Sequence, residues 1–165
     1  MKILALDAST KSTGVALFNE TNLIEYKCIT AYSKDLIKRI TKITQEIQEF
    51  LQEHPVDKII LEDVRPENGT QNIKTHRALM WLQAAIAFMA HEHFPNTEIE
   101  YVYPSEWRAA CGIKSGRGVL RASQKAGDIA FVKEQYGLEV NDDIADAIGI
   151  GHAYVNKLDT EFNWG

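Results

Sequence analysis

The chain is poor in cysteine, in basic charge and in long apolar runs, and each shortage removes a class of protein. Its two cysteines, Cys28 and Cys111, are too few and too far apart to suggest a metal knuckle or a disulfide framework, so they read as reduced, packed thiols of an intracellular protein. No stretch approaches the ~20 apolar residues of a membrane span. The opening MKILALDAST breaks its apolar run at Asp7 and shows neither an extended signal core nor a small-residue cleavage site. These features lead to the expectation of a cytoplasmic protein with no membrane partner. Lysine and arginine number 18 against 23 acids, a net charge of −5, which argues against a uniformly basic nucleic-acid binder. Repeats, low-complexity segments and linkers are also missing. What remains is 165 residues, 45% hydrophobic and 25% charged, the make-up of one globular domain with a real core. That domain is expected over 1–165, with 157–165 as a loose tail.

The hydrophobic pattern predicts the element order. Ile3 to Leu6, Val15 to Phe18 and Leu23 to Ile29 read as a three-stranded meander. Ser33 can cap a helix whose apolar positions Leu36, Ile37, Ile40, Ile43, Ile47, Phe50 and Leu51 recur at helical spacing, with Pro55 just past its end. Ile59 to Leu61 form a fourth strand ending at Glu62, and a polar loop (Arg65 to Asn72) leads to a helix from Ile73 to His91. Ile99 to Tyr103 form a fifth strand ending at Pro104. Two more helices, Leu120 to Tyr136 and Asp142 to Val155, flank Gly137 at a C′-like position. The expected fold is therefore α/β, a five-stranded mixed sheet in which an antiparallel meander is continued by parallel strands and flanked by helices. In such sheets ligands sit beyond the carboxyl ends of the parallel strands.

Acids stand at those ends. Asp7 closes the run ILALD and Glu62 closes IILED. The late stretch NDDIADAIGI holds three more. If Asn141 caps the helix, Asp142 and Asp143 fall in the first turn, where the helix dipole favours them. Asp146 lies beyond that turn and beside Asp143 on the wheel, at the edge of the apolar arc. Asp7, Glu62, Asp143 and Asp146 can thus converge. Four clustered carboxylates repel one another, and such a set makes sense around divalent cations. Ligands that are all oxygen favour Mg²⁺ or Mn²⁺ over zinc.

Charge is uneven. From Trp107 to Gly127 the chain has five basic residues (Arg108, Lys114, Arg117, Arg121, Lys125) and no acid. With −5 overall and +5 in this strip, the remainder carries −10. A basic strip on an acidic body marks a docking site for one polyanion.

Here the sequence resembles a known family. LALDASTKSTGVAL, IILEDV and DDIADAIGIGHA are similar to the three acidic motifs of RuvC-type Holliday-junction resolvases, members of the ribonuclease H-like nuclease superfamily. The resemblance runs from residue 3 to about residue 155, and the family includes phage-type members. It implies that Asp7, Glu62, Asp143 and Asp146 are the catalytic, metal-binding acids, with Asp142 left as a cap-region acid. It implies a two-metal endodeoxyribonuclease that cuts branched DNA with Mg²⁺, Mn²⁺ substituting, two ions ~4 Å apart per active site, and 5′-phosphate and 3′-hydroxyl products. The YPSEW…GI segment and QKAGDIAFVK resemble the stretch that supplies phosphate-binding lysines, with Lys125 matching best and Arg108 approximately. Some members carry an aromatic wedge three positions after the second acid. Here that position is Arg65, a further basic candidate for DNA contact.

Other residues suit plainer roles. His152 faces away from Asp143 on the wheel and reads as a surface histidine. Trp107 reads as packed under the basic segment. The helix with Met80, Trp81, Leu82, Ile86, Phe88 and Met89 has more apolar surface than one face against a sheet can use, which suggests a homodimer through Trp81, Ile86 and Phe88. A two-fold dimer suits a junction cut on two symmetric strands. Rival readings are a related nuclease acting on RNA or on other branched DNA, a non-catalytic module of the same fold, and an actin-like ATPase fragment. The last rests on LDASTKSTG, which resembles a first phosphate-binding motif; such folds need two domains around the nucleotide.

Overall fold

The computed structural model describes residues 1–64 and 72–156. The tail expected over 157–165 lies outside the described residues. Five strands, β1 (Lys2–Asp7), β2 (Ser12–Asn19), β3 (Asn22–Thr30), β4 (Lys58–Glu62) and β5 (Glu98–Val102), form one sheet in the order β3-β2-β1-β4-β5. β1, β2 and β3 pair antiparallel, and β4 and β5 continue the sheet in parallel with β1. This is the mixed sheet expected from the sequence. β1 is central, and Ile3, Leu4, Ala5 and Leu6 are all fully buried, as a strand covered on both faces requires.

Helices cover both faces. On one lie α1 (Leu36–Glu53) and α2 (Ile73–His93), packed on Leu4, Leu6, Ile59 and Leu61. On the other lie α3 (Pro104–Ala110), α4 (Arg121–Tyr136) and α5 (Asp142–Asn156), packed on Ile3, Ala5, Phe18 and Ile60. α1 buries Ile40, Ile43, Ile47, Phe50 and Leu51, its helical apolar stripe. Its cap is Asp35, whose carboxylate accepts the Lys38 N–H at 3.1 Å. Ser33 stands two residues back and accepts from the Asp35 N–H. The sequence therefore placed the cap two residues early. α4 ends at Gly137, which takes the left-handed φ of 69° that glycine tolerates. The short α3 was not expected; Pro104 sits at its first turn, where a missing N–H costs nothing. Among the described residues, no helix is long and apolar enough to cross a membrane.

Candidate active site

Asp7 ends β1 and Glu62 ends β4, and these strands are neighbours. Asp143 and Asp146 belong to the first turns of α5, whose N-terminus is capped by Asn141 through the Ile144 N–H at 2.9 Å. α5 reaches the sheet edge because β2 offers no side chain there. Gly14 pairs with Asp7 across the strands, and a Cβ on Gly14 would lie 1.9 Å from the Asp143 carbonyl oxygen. A glycine is the only residue that admits this backbone contact. The four acids expected from the sequence therefore share one edge of the sheet, beyond the carboxyl ends of β1 and β4.

Their electrostatics show the proximity. Burial, then the charges of Glu62 and Asp143, push the Asp7 carboxyl well above the usual carboxylate range. Burial also raises Asp146, to about 10, aided by its hydrogen bond with Asp128 and by the charge of Asp7. Each of the other acids is engaged by a donor. Ser12 Oγ donates to Asp143 Oδ2 at 2.6 Å, and Trp107 Nε1 donates to Glu62 Oε2 at 2.7 Å. Gln83 Nε2 donates to the Glu62 carbonyl at 2.7 Å and fixes the end of β4. Asp142 bonds Lys125, which holds its carboxyl below the ordinary value. Asp142 thus lies in the first turn of α5 with Lys125 as its partner.

With these engagements, no three His, Cys, Asp or Glu side chains among the described residues are drawn together tightly enough to hold one ion as they stand. The donor set nevertheless fits a hard cation. It is all carboxylate oxygen, and the Asp146 Oδ1 is buried with no hydrogen-bond partner. A buried, unpaired carboxylate oxygen is costly unless positive charge meets it.

Two expectations about cations divide here. Lys114, Arg117 and Arg121 are exposed, and Lys125 is half-buried against Asp142. Arg108 is different. It is 8% exposed, and its Nε and Nη2 grip both oxygens of the buried Asp128 at 3.0 to 3.2 Å. Its Nη2 also lies 3.6 Å from Asp146 Oδ2. Arg108 is thus largely withdrawn from the surface, its guanidinium held against Asp128 and beside Asp146. Arg65 lies outside the described residues.

The apolar surplus on α2 is also divided. Trp81 and Phe88 are 45% and 74% exposed, while Ile86 is fully buried in the α1–α2 layer. Ile86 therefore belongs to the core and not to an outer face, and Met80, 46% exposed, takes its place. His152 is no free surface group. Tyr136 Oη lies 2.7 Å from its Nδ1, the Phe131 ring packs edge-on against it, and burial lowers its pKa.

Trp107, Ser12, Gln83 and Asp128 were missed as parts of the site. Asp128 alone left a signal: it shares the buried face of α4 with Val132, and an acid in an apolar stripe calls for a buried cation. Ser12 and Gln83 gave none, because a polar residue in a strand or helix does not disclose what lies across the fold.

The strand order and the two helical layers define an α/β fold, a five-stranded mixed sheet between helices, that is shared with solved RuvC structures. By sequence, no protein-family model and no curated protein matches the chain. Among solved structures it is similar to Thermus thermophilus RuvC in complex with a Holliday junction substrate, at TM-score 0.75 and 13% identity over 95% of this chain and 94% of that one. It is also similar to the fowlpox virus resolvase bound to Holliday junction DNA, at TM-score 0.60 and 20% identity over 94% and 99%. The yeast mitochondrial Holliday junction resolvase Ydc2 matches at TM-score 0.61 and 15% identity over 93% and 77%.

Proposed function

We propose that this chain is a metal-dependent, structure-selective endonuclease that cuts four-way DNA junctions. The observation that carries this reading is the meeting of Asp7, Glu62, Asp143 and Asp146 at one sheet edge, with the carboxyl of Asp7 raised by burial and then by its acidic neighbours, and Asp146 Oδ1 buried unpartnered. The junction substrate follows from the fold neighbours whose structures contain a Holliday junction.

Asp7, Glu62, Asp143 and Asp146 would hold Mg²⁺, with Mn²⁺ substituting, two ions per active site. Bound there, such ions would supply activation of the attacking water and charge stabilisation of the leaving 3′ oxygen, with 5′-phosphate and 3′-hydroxyl ends as the expected products. The chain supplies the rest. Lys114, Arg117 and Arg121 lie on the exposed segment before and at the start of α4, where they can grip phosphates, and Lys125 can join them by leaving Asp142. The exposed Trp81, Met80 and Phe88 form a face for a second copy, so that two sites meet two symmetric strands.

The test is cleavage of a synthetic four-way junction beside a matched linear duplex and an RNA junction, each with Mg²⁺ and with EDTA. Selective cutting of the DNA junction in Mg²⁺ alone is expected. Equal cutting of the duplex, or cutting that survives EDTA, would overturn the proposal; preference for the RNA junction would move the substrate to RNA.

A further inference from the structure

We infer that Trp107 is a positioning residue that sets Glu62 against the carboxylates of α5, an inference resting on the proposed metal site. The indole is fully buried, and its Nε1–H donates to Glu62 Oε2 at 2.7 Å. An indole N–H is a donor with no lone pair and no charge to gain or lose. It can hold a carboxylate without competing for the cation as a neutral amine would, and without repelling it as an ammonium would.

The ring is itself clamped. On one side lies Gly149 of α5, where a Cβ would come within 2.5 Å of the Trp107 Cζ3. Carbon atoms pack at about 3.5 to 4.0 Å, so only a glycine lets the ring lie so close to the helix. The Arg108 guanidinium also packs on the indole, 4.3 Å from the ring centroid, held in place by both oxygens of Asp128. α5 also carries Asp143 and Asp146. The indole therefore joins the strand-end acid to the helix that bears the other two, and its packing against Gly149 fixes their separation before any ion arrives. Partners of this kind, which orient a ligand without touching the metal, are typically worth about 10- to 100-fold in metal affinity or activity.

Trp107→Phe removes the N–H and keeps most of the ring. The expected result is a Kd for Mn²⁺, measured by calorimetry without DNA, that rises about tenfold, while affinity for the four-way junction in EDTA is unchanged. A well-folded Trp107→Phe with wild-type Mn²⁺ affinity overturns the inference. A second measurement needs no variant of Trp107. The chain has three tryptophans, Trp81, Trp107 and Trp164, and the fully buried Trp107 should show a slowly exchanging indole N–H resonance. On Mg²⁺ titration that resonance should move, and Glu62→Gln should abolish the response. A resonance that stays fixed while Mg²⁺ binds also overturns the inference. A wild type that neither binds Mn²⁺ nor cuts junctions would instead sink the proposed function, so the two failures are distinguishable.

Discussion

Replacing Asp146 by asparagine should make the metal-free protein more stable. The carboxamide copies the shape of the protonated acid and carries no charge. In the unfolded chain Asp146 has the ordinary value of 3.8; in the fold it rises to about 10, chiefly through burial. Below 3.8 the group is protonated in both states and costs nothing. As pH climbs past 3.8 the unfolded chain sheds its proton while the folded one keeps it, so wild type loses about 1.4 kcal/mol per pH unit until the folded value is reached. At pH 7 the ceiling is therefore about 4 kcal/mol. Arg108 at 3.6 Å and a side chain that is 17% exposed relieve part of this, and about half, ~2 kcal/mol, is a reasonable net value. For a domain of 165 residues that is a rise in Tm of about 4 to 8 °C. Thermal melts of both proteins in EDTA at pH 7 and pH 5 test it, and the gap should shrink at pH 5, where the ceiling falls to about 1.6 kcal/mol. Adding Mg²⁺ should narrow or reverse the order, since an ion that binds only the folded state stabilises wild type by mass action. If Asp146→Asn melts at or below wild type in EDTA at pH 7, Arg108 keeps Asp146 ionised, and the acid cluster is a balanced ion pair that does not call for a metal.

Asp7→Asn, Glu62→Gln and Asp143→Asn should each abolish Mg²⁺-dependent junction cleavage and leave junction binding in EDTA within about twofold, as read by gel shift; Asp142→Asn should cut nearly as well as wild type. Replacing Lys114, Arg117 and Arg121 together by glutamine should reduce the slope of log K against log salt by about three, and an unchanged slope would place the DNA elsewhere. Sedimentation should show a dimer at micromolar concentration that Trp81→Glu with Phe88→Glu disrupts; a species of 18.6 kDa alone, with and without junction DNA, would contradict it. Gly14→Ala should lower Tm and abolish cleavage together, because its methyl group meets the Asp143 carbonyl; a variant that keeps both would show that α5 can shift freely.

The sheet was legible because its strands are continuous apolar runs and its helices keep a clear period, as β1 and α1 show. Three of the four acids stood out because they interrupt such a pattern: Asp7 and Glu62 stop a strand, and Asp146 sits at the edge of an apolar helical arc; Asp143, an ordinary first-turn acid, stood out only by its place beside Asp146. Side chains that act across the fold were not. Arg108 counted as one charge in a basic strip, since its partner Asp128 lies on another helix and only tertiary packing joins them. Ile86 shares one helix with Trp81 and Phe88, and composition alone does not tell which face the sheet takes. Trp107 gave only its size and apolarity; the donor it presents to Glu62 depends on a glycine far along the chain.

The contact of Gly14 and Ser12 with Asp143 spans 131 residues from Ser12, and this has a meaning for the life of the chain in the cell. Closing so long a loop is among the slower steps of folding, since its entropy is spent before the contact repays it. A chain emerging from the ribosome exposes Asp7 and Glu62 early, yet it has only half a cluster until α5 is made and docked. On the proposed function, the hydrolytic centre would be withheld from nascent and partly unfolded chains, and cutting would begin only when β2 and α5 have met.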